Sequence, residues 1–270
     1  MTETERADAE LSARVAREAG LLLLEVRSSF GDVDPADRDR VKQLRDTGDR
    51  EAHLLLLRRL SEERPDDVVL SEEGVDDVAR MTAQRVWIVD PLDGTWEFSQ
   101  GRMDFAVHVA LWHADGGRLS AGTVDLPAQG LTYSVLDDVP TYGEVRTDRP
   151  VGVVVSRSRG PADLEGILGR LSDELRALGL PGDVQALPVG SVGAKAAEIF
   201  AGRAEAYVHD TGFRDWDLAA PLVVARHRGL WVGAPDGSVL ELNRRPPVQP
   251  GVVMAVPALA GAVQRALGLA

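Results

Sequence analysis

The chain has 270 residues, 44% of them hydrophobic, enough to bury a substantial core as one large domain or two tightly joined lobes. It contains no cysteine, which excludes disulfides and thiolate metal sites and leaves oxygen atoms and five histidines as metal ligands, a set that favours hard cations. With 30 basic against 43 acidic residues the net charge is −13, which argues against a nucleic-acid polymer as partner but allows a small phosphorylated ligand, provided divalent cations reverse the field locally.

The N-terminus, "MTETERADAE", is polar and acidic without an apolar signal-peptide core, and no stretch reaches the roughly 18 apolar residues of a membrane span. A cytoplasmic protein without membrane contact is expected. Leu11, Val15, Ala19, Leu22, Leu23 and Val26 recur at steps of three and four, which predicts an amphipathic helix over about residues 7–29. The polar "SSFGDVDPADRDR" predicts a loop, and "DREAHLLLLRRLSEE" a second helix from about Asp49 to Glu63, stopped by Pro65. "DVVL" and "RVWIVD" read as strands, the first ending in "SEEG" and the second in "DPLDGT". From Phe105 an alternating pattern predicts an antiparallel meander running through "AGTVDLP" and "LTYSVL".

The charged stretch "DDVPTYGEVRTDRP" is the best boundary between an N-terminal half, 7–146, and a C-terminal half, 147–270. Beyond it come an apolar strand "VGVVVS", a helix with Leu164, Ile167, Leu168, Leu171, Leu175 and Leu178 on one face, and a glycine-opened helix "GSVGAKAAEIFAG". A strand "AEAYVH", a helix "WDLAAPLVVARHRG" and a last strand "GVVMAVP" complete the pattern. The fold class is α+β or α/β, with an α/β layer beside a more antiparallel first half, the two forming a single unit.

Asp90 and Asp93 close one strand and Glu72 and Glu73 follow another. If those strands are neighbours, three or more carboxylates meet at one sheet edge, an arrangement that would drive protonation unless a cation such as Mg²⁺ held them. Taken singly, "SEEG" and "DP" are ordinary turns. Pro91 fixes the backbone between the two aspartates and frees the carbonyl of Leu92 to point with them. Behind them "GTWEF" opens a short helix whose N–H groups suit a phosphate, with the Thr95 hydroxyl able to hold a water or to serve as a plain N-cap.

"DPLDGT" after an apolar strand, with "SEE" upstream and "WDLAAP" downstream, resembles the signature set of the inositol monophosphatase superfamily of Mg²⁺-dependent, lithium-sensitive phosphatases. The resemblance covers nearly the whole chain and implies that family's layered α-β-α-β-α sandwich. "VLSEE", "WIVDPLDGTWEFS", "VVVSRS", "GSVGAKAAEIFAG" and "AYVH" before "WD" resemble its 3'(2'),5'-bisphosphate nucleotidase branch, which removes the 3'-phosphate of phosphoadenosine phosphate left by sulfate activation. The resemblance implies that Glu72, Asp90, the Leu92 carbonyl, Asp93 and Asp217 hold two or three Mg²⁺ ions, and that Glu72 also helps activate water. It pairs Asp49 with Thr95 to orient that water, and places the phosphate on the N–H groups of Gly94 and Thr95. Hydrolysis would then proceed by in-line displacement without a covalent intermediate. Ser156, Arg157, Ser191 and Lys195 are the further substrate contacts it suggests.

The chain departs from that pattern in three places. Trp96 stands where the nucleotidases often carry lysine or another polar residue, and packing is its expected role. Only Gly229 survives where the family runs into a glycine pair, and "KQLRDTGD" replaces the family's lysine-containing loop before Asp49. His108 is expected to be structural. Within the same chemistry an inositol monophosphatase or a fructose bisphosphatase is the alternative, and in another class a catalytically silent metal- or nucleotide-binding regulator. A homodimer is expected by analogy only.

Overall fold

The computed structural model describes residues 1–140 and 145–269. Helix α1 (Glu3–Phe30) starts earlier than the apolar period alone predicts, because Thr2 and Glu5 close a reciprocal capping box ahead of it. Helix α2 (Arg38–Glu63) also starts well before Asp49, and this corrects the expected loop. Asp37 caps it by accepting from the Arg40 N–H at 3.0 Å. Gly48 is buried mid-helix at a close approach. A Cβ there would lie 2.9 Å from Phe98 Cε1 and 3.2 Å from Leu92 Cδ2.

The first sheet runs in the order β1 (Val68–Ser71), β2 (Arg85–Asp93), β3 (Ala106–His113), β4 (Leu119–Leu126) and β5 (Leu131–Ser134). The last three pairings are the antiparallel meander, whereas β1 and β2 are parallel, with Ser71 opposite Val89. Between β2 and β3 lies the one-turn helix α3 (Thr95–Ser99). The second sheet is mixed, in the order β10 (Trp231–Gly233), β12 (Val252–Ala255), β8 (Ala206–His209), β6 (Val151–Ser156) and β7 (Val184–Val189). β7, β6 and β8 are parallel, and β12 and β10 join antiparallel. A two-strand ribbon of β9 (Phe213–Arg214) and β11 (Val248–Gln249) completes the strands among the described residues. Part of the expected boundary stretch, residues 141–144, lies outside them.

Helices α5 (Val192–Phe200) and α6 (Asp215–His227) fill the space between the sheets. α6 packs on β2, β3 and β4, while α5 touches β3 and β4 on one side and β6 and β8 on the other. Both carry small apolar residues nearly all round, as a helix covered on two faces must, and one continuous core joins Trp87 and Leu111 to Ala197, Tyr207 and Leu222. Helix α4 (Leu164–Ala177) covers the far face of the second sheet together with α7 (Ala260–Ala266), a terminal helix the sequence reading lacked. The order α1/α2, sheet, α5/α6, sheet, α4/α7 is the expected five-layer sandwich.

Candidate active site

The parallel pairing of β1 and β2 brings their C-terminal ends side by side, so Glu72 emerges next to Asp90. Asp90 is 1% exposed and accepts from the Leu92 N–H at 3.0 Å, which turns the chain through Pro91 and breaks the β2–β3 register before Asp93. Asp217 arrives from the first turn of α6, where its Oδ2 accepts from the Arg214 N–H at 2.7 Å. It thus sits at the third helical position, reaching back to the backbone of the capping residue Arg214, and is also a member of the cluster. Asp90, Asp93 and Asp217 offer carboxylate oxygens that lie within 4.8 Å of one another.

Desolvation is the chief reason that these acids resist ionising. It raises Asp217 to about 7, helped by Asp93, and lifts Asp90 well above the carboxylate range, helped by Glu72, Asp93 and Asp217. Glu72, open to solvent on one side, rises to about 7 from desolvation and from Asp49, Glu73 and Asp93, against a hydrogen bond with the Asp90 carboxyl. Four mutually repelling acids with oxygen-only donors fit a hard divalent cation, which would let them ionise together.

Asp93 is fixed from the second half of the chain. Val192 N–H donates to its Oδ1 at 3.1 Å and Gly193 N–H to its Oδ2 at 2.6 Å, so the start of α5 holds both oxygens. Buried His108, opposite Asp90 on β3, sets its Nε2 3.3 Å from Asp93 Oδ2 and its Nδ1 3.3 Å from the Trp216 carbonyl. It was expected to be structural, and its contact with Asp93 was missed; the alternation along β3 is the signal that places it on the site's face.

Gly94 takes the left-handed φ of +90° that starts α3, and a Cβ there would sit 2.8 Å from Ser191 Cβ, so glycine is required twice over. Thr95 Oγ1 is 3.1 Å from the Leu92 carbonyl oxygen and 3.5 Å from Asp49 Oδ1, so the expected Asp49–Thr95 pair is brought together, with the carbonyl as the nearer acceptor. Asp49 is pushed up to about 7 by desolvation and by Glu73. The degraded "KQLRDTGD" segment before it is helix, and Gly48 lets that helix press against Leu92 and Phe98.

A cleft of about 630 Å³ opens from the carboxylates and is lined by Glu72, Gly94, Thr95, Ser156, Ser191 and Lys195 among others. Ser191 caps α5 through the Ala194 N–H, and the Ser156 hydroxyl accepts from the Arg159 N–H. Lys195 is buried, donates to the Gly190 carbonyl and is lowered to about 8 by desolvation, against the pull of Asp93, Glu97 and Asp217. Arg157 reaches the same cleft, but its guanidinium is taken by Glu97 at 3.2 Å and Asp104 at 2.5 Å. Arg159, missed in the sequence, lines the cleft and has no carboxylate partner among the described residues. The second arginine of "SRSR" was its only signal. Trp96, expected to pack, is instead 49% exposed.

A profile of the inositol monophosphatase family matches residues 6–267. The chain is 42% identical to the 3'-phosphoadenosine 5'-phosphate phosphatase of Mycobacterium leprae (strain TN), an alignment covering 93% of this chain and 90% of that one. It is 32% identical to the 3'(2'),5'-bisphosphate nucleotidase CysQ of Escherichia coli (strain K12), over 86% of this chain and 92% of that one. Among solved structures, inositol monophosphatase II of Staphylococcus aureus superposes with a TM-score of 0.73 at 18% identity, covering 97% of this chain and 92% of that chain. CysQ of Bacteroides thetaiotaomicron gives 0.73 at 24% identity, covering 93% and 97%. The shared sandwich and the match over nearly its full length lead to one conclusion: the chain belongs to the inositol monophosphatase family.

Proposed function

We propose that the protein is a Mg²⁺-dependent phosphomonoesterase that hydrolyses the 3'-phosphate of 3'-phosphoadenosine 5'-phosphate, giving AMP and phosphate. The observation that carries it is the convergence of Asp90, Asp93 and Asp217 within 4.8 Å in a cleft that Lys195 and Arg159 also line. Acids and cations lining one cleft suit a ligand with two phosphates, one taken through metal and one directly. The names of the mycobacterial and enterobacterial relatives select the nucleotide.

Glu72, Asp90, Asp93, Asp217 and the Leu92 carbonyl would hold the metal, as two or three ions. Bound Mg²⁺ would supply charge neutralisation at the phosphoryl group and acidification of a water. Thr95, backed by Asp49, orients that water through its hydroxyl, and Glu72 accepts its proton. The N–H groups of Gly94 and Thr95 face the phosphate. Ser156, Ser191, Lys195 and Arg159 meet the phosphates of the ligand, while Arg157 braces the wall by holding Glu97 and Asp104. Both halves of the chain form one catalytic unit in this reading, acting on a small substrate without nucleic-acid polymer or membrane, in the cytoplasm and as a homodimer, with lithium as an inhibitor. No helix among the described residues is long and apolar enough to cross a membrane.

Phosphate release from 3'-phosphoadenosine 5'-phosphate, inositol 1-phosphate and fructose 1,6-bisphosphate, with and without Mg²⁺ and lithium, tests the proposal. Nucleotide turnover should exceed the other two and require Mg²⁺. Equal or better turnover of the non-nucleotides would reject the nucleotide, and silence on all three would favour a regulator. Asp93→Asn should lower kcat by at least about a hundredfold, since a lost ligand displaces both the cation and its partners. Full activity in that variant would remove Asp93 from the site.

A further inference from the structure

We propose that Trp96 determines specificity by presenting its indole face as a stacking platform for the nucleobase of the ligand. The inference rests on the reading above that a nucleotide occupies the cleft. Trp96 stands in the first turn of α3, directly after the residues assigned to the phosphate, and lines the cleft that the metal carboxylates share. The same short helix buries Phe98 completely, edge-on to Phe105 at 5.2 Å, so its orientation is set and Trp96 is turned outward.

At 49% exposure Trp96 is the one largely exposed aromatic side chain among the described residues, and it enters no ring–ring or cation–ring pair there. The other rings on the cleft are His209 and Phe213. Both are buried and engaged with each other at 4.8 Å, and His209 is engaged with Tyr207 as well. Trp96 alone keeps a free π-face beside the reacting end.

Stacking also fits the ligand chemistry. A purine is planar and offers such a face, whereas a cyclitol or furanose ring is puckered and studded with hydroxyls. A cleft of about 630 Å³ is larger than a sugar monophosphate needs and leaves room for a base. The cleft's guanidinium and ammonium groups, on Arg159 and Lys195, are thereby left to the phosphate. Indole at this position exchanges a charge contact for recognition of the ring.

Calorimetric dissociation constants for AMP and for ribose 5-phosphate, which lacks only the base, test this in the unaltered protein, Trp96→Ala and Trp96→Phe. Trp96→Ala should weaken AMP by about 5- to 100-fold and ribose 5-phosphate by less than about twofold, with Trp96→Phe keeping most of the AMP affinity. An AMP to ribose 5-phosphate ratio unchanged in Trp96→Ala, or lost equally in Trp96→Phe, would overturn the platform. Because binding is read without turnover, failure to cleave 3'-phosphoadenosine 5'-phosphate would sink the substrate assignment while the ratio still decides the stacking.

Discussion

Asp125 lies on β4 at 4% exposure, beneath α1 where Gly20 closes over its Oδ2, and accepts from the Thr132 hydroxyl at 2.7 Å. Desolvation raises it from 3.8 to about 6, against the Thr132 hydrogen bond and the more distant Arg17. The folded protein therefore holds this proton up to pH about 6, and the unfolded chain releases it near 3.8. Between those values the folded state binds more protons, so the contribution to stability rises as pH falls from about 6 to about 4 and is lowest above 6. Asp125→Asn should be more stable than the parent by about 1–3 kcal/mol at pH 7.5, with the gap closing near pH 4. Urea unfolding at the two pH values checks this, and a gap of constant size would mean that charge is not its cause.

Helix α2 and the loop ending β2 meet at Gly48, and this contact is the clearest test of an element shaping the site. Gly48→Ala would gain up to about 1 kcal/mol of helix propensity but force a methyl group against Phe98 and Leu92, at a cost of about 1–3 kcal/mol. Reduced thermal stability together with a lower kcat is expected, because Leu92 lies between the two aspartates. A variant as stable and active as the parent would show the contact to be slack. This glycine also marks where the sequence was hardest to read. Strand β2 and its "DPLDGT" ending were legible, because an apolar run followed by fixed turn chemistry leaves few alternatives. The first half of α2 was not, since Arg38 to Asp49 is polar with little apolar period, and its helical state depends on the Asp37 cap and on packing with α3. The outward turn of Trp96 escaped for a related reason. It follows from Phe98 filling the core on the opposite face of α3, a tertiary choice that composition does not reveal.

At the scale of the whole molecule the candidate metal cluster joins the halves, since Asp90 and Asp93 come from the first sheet and Asp217 from the helix between the sheets. A cation that relieves their repulsion should stabilise the entire fold. Mg²⁺ at about 100 times its dissociation constant should add about 2.7 kcal/mol, a rise in Tm of about 5–10 °C, and Asp217→Asn should keep less than about half of it. Scanning calorimetry with Mg²⁺ and with a chelator measures both, and an equal rise in the variant would place the ion elsewhere. An antiparallel half beside an α/β half was legible from the alternation of apolar runs and the five-layer order only through the family resemblance, while the pairing of β1 with β2 could only be supposed, because strand adjacency is set by long-range packing. The grip of α5 on Asp93 spans 99 and 100 residues, to Val192 and Gly193. A ribosome adding about 5–20 residues per second therefore takes several seconds between placing the aspartate and supplying the amides that aim it. Asp217 comes later still. The nascent first half, even if it collapses on its own sheet, carries acids without their fixed orientation, so phosphatase activity should arise only after α6 has emerged and docked.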